Sequence, residues 1–461
     1  MTQRLIVIGG DAAGMSAASA ARRELSPEKL EIVAFERGNY TSYSACGIPY
    51  FIGKDVAEVS ELIARTPQQF RDHHDIDART GHEVLEIDLH RRAVLVHNLA
   101  AGRKTWEGFD QLMVATGAVP FRPPLPGIDA RGIHGVQTLD DGLALRAVLE
   151  RKRPGRAVII GAGYIGLELA EALCAWGVQI TVIGRPPAPL PALDPDMGAL
   201  IASAMEGYGM EVRMEETVTG FEADGGQVTA VVTDQATIPT NLVILGLGVE
   251  PNTTLAAQAG IPLGTTGAIA VDQRLRTGIE GIWAGGDCVE KFHRVSRRHM
   301  SLPLGTHANK EGRTAGINMG GGYATFPGVL GTAVTKICDV EVGRTGLGVA
   351  EARAAGFDPV TAVVDSTTRA GYYPGAKPIR TKLIAERGTG RLLGAQIVGE
   401  EGAAKRIDVL SVALWHETPV EELLNIDLSY APPFSPLWDP VLIAARKAWQ
   451  AVENDRSSAR P

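Results

Sequence analysis

Apolar runs and glycine-rich turns alternate at the start of the chain, and their order predicts a parallel α/β sheet. Residues 4–8 are predicted to form a buried strand, which leads into the turn Gly9–Gly14. An alanine-rich stretch after the turn predicts a helix that ends near Arg23. A second apolar strand, residues 31–35, ends at Glu36. Strand, glycine turn, helix, strand and terminal acid follow the order of a dinucleotide-binding unit.

This first unit offers a cradle for a pyrophosphate and an acceptor for a ribose. The glycine turn lets a pyrophosphate approach the helix N-terminus, and the Glu36 carboxylate can accept a hydrogen bond from a ribose hydroxyl. Asp11 stands where the motif has its middle glycine, so the match is incomplete, and an ordinary strand-to-helix turn is the alternative. The candidate cofactor contacts in this unit are Gly9, Gly10, Ala13, Gly14, Glu36 and Arg37.

A second unit of the same kind begins at residue 156. The strand 156–160 leads into Gly161–Gly166, a complete Gly-x-Gly-x-x-Gly motif, before a predicted helix 167–176 and a strand 179–183. That strand is followed by Arg185 rather than by an acid, and an arginine there accommodates a 2′-phosphate. We therefore predict NADPH as the nucleotide, with NADH as the alternative if Arg185 is merely an exposed turn residue. The candidate contacts in this unit are Gly161, Gly163, Tyr164, Ile165, Gly166 and Arg185.

Three further apolar segments are predicted strands; the first two end in small residues and would each close one nucleotide-binding unit, and the third leads through glycines to a carboxylate. They are residues 110–117, 241–248 and 279–287. The third ends in two glycines and Asp287, whose carboxylate could hold a ribityl hydroxyl of a flavin; a solvated loop aspartate is the alternative. The candidate FAD contacts from these segments are Thr116, Gly117 and Asp287.

A lone cysteine, Cys46, follows the first unit. Gly47 and Pro49 after it predict the start of a helix, whose N-terminal dipole, like an electron-poor cofactor, can lower a thiol pKa from ~8.5 towards ~3.5–7.5. No second cysteine lies within a few residues. The sequence therefore predicts one redox thiol that works through a mixed disulfide, a persulfide or a sulfenic acid. A buried structural cysteine is the alternative.

Composition and charge exclude several classes of protein. The net charge of −8 at pH 7 argues against nucleic-acid binding, and 461 residues suggest about three domains. No apolar run is long enough to span a bilayer, and a strand begins so early that we expect no signal peptide. The four cysteines show neither metal-ligand nor disulfide spacing, so we predict no metal site and a reducing cytoplasm.

The texture of the sequence changes near residue 323, where an α+β region is predicted. Its expected elements are a hairpin around residues 338–339, strands near 360–364, 379–385 and 392–398, and helices at 403–415 and 440–449. We expect the mostly polar residues 451–461 to form a flexible tail. Cys174 and Cys338 have apolar neighbours and are predicted to be core residues.

Taken together, these motifs resemble the pyridine nucleotide-disulfide oxidoreductases over nearly the whole chain. Within that family the sequence is most similar to the single-cysteine branch, and especially to the coenzyme A disulfide reductases. The family's motifs match Ser42–Cys46 for the redox thiol, Gly9–Gly14 with Glu36 and Gly285–Asp287 for FAD, and Gly161–Gly166 for NAD(P).

The resemblance implies an α/β fold of two interleaved Rossmann-like nucleotide-binding domains and an α+β C-terminal dimerisation domain. The FAD-binding domain would comprise residues 1–120 and 249–322, the NAD(P)H-binding domain residues 121–248, and the dimerisation domain residues 323–450. A homodimer that binds FAD and NAD(P)H is therefore expected.

The resemblance also assigns catalytic roles. Cys46 would be the redox thiol. Tyr372 and Tyr430 would reach the partner subunit's active site, where a phenol can donate a proton to a departing thiolate. Packing, or a turn in a Pro/Gly-rich loop, is the alternative role for both tyrosines.

Three residues are implied substrate contacts: Ser42, Arg22 and Asn309. Arg22 would contact coenzyme A phosphates, although favourable charge at a helix C-terminus is its alternative role, and packing is that of Asn309. Two positions depart from the family pattern. Ala45 replaces an asparagine that is common before the redox cysteine in coenzyme A disulfide reductases, and Ala12 replaces a histidine of the peroxidase and oxidase members.

These features predict an FAD-dependent NAD(P)H oxidoreductase that reduces a small disulfide or persulfide through Cys46, with coenzyme A disulfide as the leading substrate. An NAD(P)H oxidase that forms water or hydrogen peroxide is the first alternative, against which the missing histidine at Ala12 counts. A reductase of a protein electron acceptor and a redox-sensing flavoprotein are further alternatives.

Overall fold

Three five-stranded sheets organise the chain. The computed structural model describes residues 2–458. Two of the sheets are parallel, and the third, near the C-terminus, is antiparallel. The parallel strands read as nearly continuous apolar runs because both faces of each sheet are covered, one by helices and the other by a small antiparallel sheet. The predicted fold class is confirmed.

The first parallel sheet carries the first glycine loop. Its strands lie in the order Ile282–Ala284, Gln111–Val114, Gln3–Ile8, Leu30–Phe35 and Ile76–Arg79. An antiparallel meander of His82–Asp88, Ala93–Asn98 and Arg103–Gly108 adjoins it, together with the hairpin Lys291–His293 and Arg298–Met300. The associated helices are Ala12–Glu24, Pro67–His74, Thr254–Gln258 and Gly305–Met319. The short helix Ile48–Ile52, with 3₁₀ turns at Ala45–Gly47 and Val59–Leu62 beside it, packs against the helices Leu139–Lys152 and Tyr164–Cys174 of the second region.

The second parallel sheet repeats the design around the second glycine loop. Its strands lie in the order Glu211–Met214, Gln179–Gly184, Arg156–Ile160, Val243–Leu245 and Ile133–Gly135. A small antiparallel sheet of Val218–Asp224, Gln227–Thr233 and Thr237–Pro239 adjoins it. The helices here are Leu139–Lys152, Tyr164–Cys174 and Pro195–Gly207.

A two-stranded ribbon lies where the chain passes between these two sheets. Ala118–Pro120 pairs antiparallel with Val249–Pro251, next to the predicted crossing points at residues 120 and 249. The exact division into domains stays a prediction.

The antiparallel sheet forms the C-terminal region. Its strands lie in the order Ala333–Ile337, Val340–Gly346, Leu392–Gly399, Pro378–Glu386 and Pro359–Thr367, which confirms the hairpin predicted around residues 338–339. The helices are Val349–Ala354, Ile407–Trp415, Val420–Leu423 and Pro440–Ser458, with a 3₁₀ turn at Ala404–Arg406.

Two predicted helix boundaries are wrong. The second-loop helix begins at Tyr164 rather than at residue 167, because the last glycine of the motif, Gly166, is itself helical. The final helix continues to Ser458 instead of ending at Trp449, and Val452 on this extension is fully buried in the C-terminal core. Residues 459–461 of the predicted tail lie outside the described residues.

Within residues 2–458, none of the helices is both long and apolar enough to cross a membrane.

Candidate active site

The first glycine loop is closed so tightly that its outer positions require glycine. Gly9 has a φ of +108°, and a Cβ there would lie 2.1 Å from the carbonyl oxygen of Ala115. A Cβ on Gly14 would lie 1.9 Å from the carbonyl oxygen of Gly9. The helix Ala12–Glu24 therefore begins directly on the strand end, which leaves its first N–H groups facing the space where a pyrophosphate binds.

The Glu36 carboxylate organises the backbone beside this loop. It accepts hydrogen bonds from the N–H of Gly10 at 2.8 Å and from the N–H of Gly38 at 2.7 Å. Each carboxylate oxygen has a second lone pair, so the group can also accept from ribose hydroxyls. Its neighbour Arg37 is exposed at the rim.

The Gly285–Asp287 segment faces the same space. A Cβ on Gly286 would lie 2.8 Å from the Cβ of Ala13, so this segment packs directly on the first glycine loop. Oδ1 of Asp287 is buried without a hydrogen-bond partner, and burial raises the pKa of this carboxyl. An orphaned acceptor beside a tight glycine cradle fits a polyhydroxylated cofactor that supplies the missing donor.

Thr116 and Gly117 lie at the ribbon between the two parallel sheets. The Thr116 hydroxyl donates to the carbonyl of Asn252 at 2.6 Å, and the N–H of Asn252 donates to the carbonyl of Gly117 at 2.9 Å. Gly117 has a φ of +67°. These contacts fix the chain where it leaves the first sheet, at the carboxyl end of a central strand, which is where ligands of such sheets bind.

Sequence reasoning missed a buried ion pair behind the Gly285–Asp287 segment. Lys291 Nζ lies 3.6 Å from Glu311 Oε2, and the two side chains are 0% and 1% exposed. Lys291 donates to the carbonyls of Gly286 and Val289, while Glu311 Oε2 accepts from the N–H of Gly286 at 2.8 Å. The pair thus holds both backbone polar groups of Gly286. Burial raises the pKa of Glu311 to about 7 despite the opposing Lys291 charge.

The second glycine loop has the same closed geometry. Gly161 has a φ of +105°, and a Cβ there would lie 2.2 Å from the carbonyl oxygen of Gly246. A Cβ on Gly166 would lie 2.0 Å from the carbonyl oxygen of Gly161, whereas one on Gly163 would meet no atom within 4 Å. The outer glycines are therefore required sterically, as in the first loop.

Side chains at the mouth of this second loop remain open to a ligand. The Tyr164 hydroxyl is buried without a hydrogen-bond partner, and Ile165 is exposed. Arg185, which follows the strand Gln179–Gly184, is also exposed. The loop, the orphaned hydroxyl and the free guanidinium fit a phosphorylated nucleotide.

Cys46 lies in the 3₁₀ turn Ala45–Gly47, directly before the helix Ile48–Ile52, so the predicted helix start is confirmed. It is an exposed residue, and all four cysteines are free. Of the other three, Cys288 and Cys338 are buried and Cys174 is partly buried against the core.

The predicted lowering of the Cys46 pKa is wrong for the polypeptide itself. Although the residue is exposed, enclosure of its thiol raises the pKa, and the carboxylates of Glu168, Asp287 and Asp11 raise it further. A five-residue helix offers little dipole against these three negative charges. Since the carboxylates come from both glycine-loop regions, they locate Cys46 where the two nucleotide-binding units meet.

The segment before Cys46 is anchored to the first glycine loop. The N–H of Ser42 donates to the carbonyl of Gly10 at 2.9 Å, and the N–H of Tyr43 donates to Oδ1 of Asp11 at 3.2 Å. Ser42 has a φ of +48°, a left-handed conformation that costs a non-glycine residue about 1–2 kcal/mol. These contacts bring Ser42 and Cys46 together with the FAD-loop residues.

Arg22 and Asn309 are engaged in local hydrogen bonds. The Arg22 guanidinium donates to the carbonyls of Leu25, His74 and Asp75, which matches its alternative role at the end of a helix. Asn309 accepts from the Ser16 hydroxyl at 2.8 Å and donates to the carbonyl of Gly305 at 2.9 Å. The guanidinium keeps unused N–H donors on its terminal nitrogens.

Tyr372 and Tyr430 meet on the surface of the C-terminal region. They are 77% and 44% exposed, and a hydrogen bond with the Tyr372 side chain raises the pKa of Tyr430. Sequence separation hid this contact, although both tyrosines were predicted site residues.

Comparison with known families identifies the class of protein. Residues 3–312 match the model described as pyridine nucleotide-disulphide oxidoreductase, and residues 332–440 match the dimerisation domain of the same family. The chain therefore belongs to the pyridine nucleotide-disulphide oxidoreductases. The family is FAD-dependent and takes electrons from NAD(P)H, so the predicted enzyme class and cofactors are confirmed. The dimerisation domain implies a homodimer.

Three relatives show the chemistry found among similar proteins. An NAD(P)H sulfur oxidoreductase (CoA-dependent) of Pyrococcus abyssi is 39% identical and aligns over 96% of this chain and 97% of its own. An NADH oxidase of Methanocaldococcus jannaschii is 36% identical over 98% and 100%. A coenzyme A disulfide reductase of Staphylococcus haemolyticus is 30% identical over 97% and 99%.

A solved structure agrees with the fold. The NAD-dependent persulfide reductase from A. fulgidus is 39% identical and superposes with a TM-score of 0.94, covering 98% of this chain and 84% of that chain. The similar proteins thus include both sulfur reductases and an oxidase.

Proposed function

We propose that this enzyme reduces coenzyme A disulfide, or a related persulfide, with electrons from NAD(P)H through a single thiol, Cys46. One observation carries the proposal. Cys46 is an exposed thiol whose charged neighbours, Glu168, Asp287 and Asp11, come from both glycine-loop regions. A thiol at that junction can exchange electrons with a flavin bound in the first region, and its exposed side can contact a disulfide substrate.

The residues of the first region would hold FAD. The Gly9–Gly14 loop would receive its pyrophosphate, Glu36 its adenosine ribose and Asp287 its ribityl chain. When bound, FAD would carry the electron pair from NAD(P)H to sulfur.

Cys46 supplies the nucleophile. Its thiolate attacks one sulfur of the substrate disulfide, a Cys46–substrate disulfide forms, and the second sulfur leaves as a thiolate that takes up a proton. Two electrons and one proton then return the mixed disulfide to the Cys46 thiolate and a free thiol. Since enclosure and three carboxylates disfavour the thiolate, its stabilisation has to come from the bound cofactor or substrate.

The hydrogen-bonded tyrosines would act on the leaving sulfur. We propose that Tyr372 and Tyr430 of one subunit complete the site of the other in the homodimer. Their exposure of 77% and 44% supports this, because surface phenols of that size are candidates for an interface. A phenol can donate to the departing thiolate.

NADPH is the proposed donor and coenzyme A the proposed thiol carrier. Exposed Arg185 can pair with a 2′-phosphate, and the unused Arg22 donors, with Ser42 and Asn309, can contact substrate. A reducing cytoplasm suits four free cysteines.

Anaerobic turnover tests the proposal. Purified holoenzyme and the Cys46→Ser variant are assayed for NADPH oxidation with coenzyme A disulfide, coenzyme A persulfide, glutathione disulfide and cystine. We expect turnover with the coenzyme A compounds and a loss of at least roughly 1,000-fold in the variant, because no other group supplies the nucleophile. Full activity of Cys46→Ser would overturn the proposal.

An NAD(P)H oxidase is the second candidate, because a relative that is 36% identical is an NADH oxidase. Oxygen consumption per NADPH separates the two functions. Slow anaerobic turnover with every disulfide, combined with stoichiometric oxygen uptake in air, would favour the oxidase.

A further inference from the structure

Asp11 occupies a position that the glycine motif leaves sterically open. Asp11 and Gly163 each immediately precede the helix of their loop, in extended backbone conformations. A Cβ on Gly163 would meet no atom within 4 Å. A side chain in the middle of the motif therefore meets no clash within the polypeptide, and the extended backbone of Asp11 is unstrained.

The Asp11 carboxylate does not cap the helix that it precedes in the usual way. An aspartate at this position normally accepts from the second or third N–H of the helix, but Asp11 makes no such bond to Ala12–Glu24. Its Oδ1 instead accepts from the N–H of Tyr43 at 3.2 Å. Apart from the N–H of Ala12, which also lies within hydrogen-bonding reach of this carboxylate, the first N–H groups of the helix receive no bond from Asp11, while the side chain holds the segment that carries Cys46.

We propose that Asp11 is a positioning residue, which ties the Ser42–Cys46 segment to the FAD loop and whose negative charge restrains the reactivity of the Cys46 thiol. The inference rests on the proposed role of Cys46 as the reactive thiol. It explains why the first loop departs from the glycine motif at the one position where a departure costs no close contact.

Electrostatics support the second part of this role. Burial, together with neighbouring carboxylates, raises the pKa of Asp11 to about 6, so that the group is charged at pH 8 and mostly neutral at pH 5. A nearby negative charge disfavours a thiolate. The ionisable neighbours are Glu36, Asp287 and Tyr43 around Asp11, and Glu168, Asp287, Asp11 and Tyr50 around Cys46.

The charge is tested with Asp11→Asn, which keeps an oxygen acceptor for Tyr43 but removes the charge. Thiol-reduced holoenzyme is treated with methyl methanethiosulfonate from pH 5 to 8.5, so that a reacting thiolate becomes a methyl disulfide as methanesulfinate leaves, and modification of the Cys46 peptide is followed by mass spectrometry. We expect the variant to react about threefold faster than wild type at pH 8. The ratio should approach one at pH 5, where wild-type Asp11 is protonated. Identical profiles across the range would overturn the charge role.

The tie is tested with Asp11→Gly, which removes the acceptor as well. Hydrogen exchange of the peptide containing Tyr43 should be faster in Asp11→Gly than in wild type or Asp11→Asn, and unchanged exchange would overturn the positioning role. Cys46→Ser supplies the background from the other cysteines. Asp129→Asn, which changes an exposed carboxylate, should match wild type. Neither assay needs turnover, so a failed reductase assay leaves the Asp11 result interpretable.

Discussion

The two glycine loops of this enzyme share the same backbone contacts at their outer glycines. They differ at the middle position of the motif and at the residue that follows the second strand. In both, the first glycine is left-handed and the last would clash with the carbonyl of the first, at 1.9 Å for Gly14 and 2.0 Å for Gly166. The middle position is Asp11 in one loop and Gly163 in the other. The following strand is succeeded by Glu36 in the first unit and by Arg185 in the second.

This difference separates the motif positions that the backbone geometry requires from those that can vary with the bound ligand. The outer glycines are dictated by backbone contacts, so they recur in both loops whatever is bound. The middle position and the residue after the second strand are not fixed by a clash with a backbone carbonyl, and they differ between the two units, so they can be specialised. Glu36 accepts from backbone N–H groups and is the proposed ribose contact, whereas exposed Arg185 is the proposed contact of a phosphate.

The largest loss of stability is expected when the buried ion pair behind the proposed FAD site is broken. In Lys291→Met, Glu311 loses its counter-charge behind Gly286, and breaking a buried pair costs about 3–5 kcal/mol of stability. The folded-state pKa of Glu311 is raised to about 7 with Lys291 present, and removal of that opposing charge raises it further. The variant therefore goes on losing stability as the pH rises from 7 to 8, where the wild-type loss is nearly complete. The temperature of FAD release, followed by flavin fluorescence, should therefore fall more at pH 8 than at pH 6.

A second substitution makes this result specific. Lys291→Met combined with Glu311→Gln should recover much of the loss, since an amide oxygen can still accept from the N–H of Gly286. Equal FAD-release temperatures for wild type and Lys291→Met at both pH values would contradict the supporting role of the pair.

A smaller effect is expected from matched alanine substitutions within the second loop. Gly166→Ala forces a Cβ against a backbone carbonyl, so NAD(P)H binding should weaken on the order of 100-fold, while FAD is retained. Gly163→Ala meets no protein atom within 4 Å, so it should leave the loop intact; its methyl group lies on the side from which a pyrophosphate approaches, and we expect a loss of about threefold to tenfold. Stopped-flow reduction of the yellow enzyme measures both variants, and similar losses in the two would break the distinction between outer and middle glycines.

The smallest effect concerns nucleotide choice. Arg185→Ala should lower the ratio of kcat/KM for NADPH to that for NADH by roughly tenfold, because about 1.4 kcal/mol of charge pairing with the 2′-phosphate is lost. The NADH value alone should change little. An unchanged ratio would mean that Arg185 is an exposed turn residue without a role in nucleotide choice.

The sequence predicts the local parts of this molecule well. Both glycine loops, the hairpin around residues 338–339 and the helix after Cys46 follow from short-range patterns, and the structure confirms them. One of the two wrong helix boundaries has a tertiary cause, and the other has a cause within its own loop. Burial of Val452 extends the last helix, and Gly166 is helical because it packs against Gly161.

The site is less predictable because its decisive contacts join distant residues. The Lys291–Glu311 pair, the Asp11–Tyr43 bond and the Tyr430–Tyr372 contact each depend on tertiary packing. The pKa of Cys46 was predicted from one adjacent helix, whereas it is raised by enclosure and by three carboxylates from other elements. The local sequence identifies the reactive group but not the charges that the fold places around it.

The most direct test of catalysis through Cys46 is to trap the mixed disulfide between this thiol and coenzyme A. Thiol-reduced holoenzyme is incubated anaerobically with coenzyme A disulfide, without NADPH, then digested and mapped by mass spectrometry. We expect one coenzyme A adduct, on the peptide that contains Cys46. This adduct should disappear when NADPH is added and should be absent from Cys46→Ser. Turnover of coenzyme A disulfide with no adduct on Cys46, or with the adduct on Cys174, would contradict catalysis through Cys46.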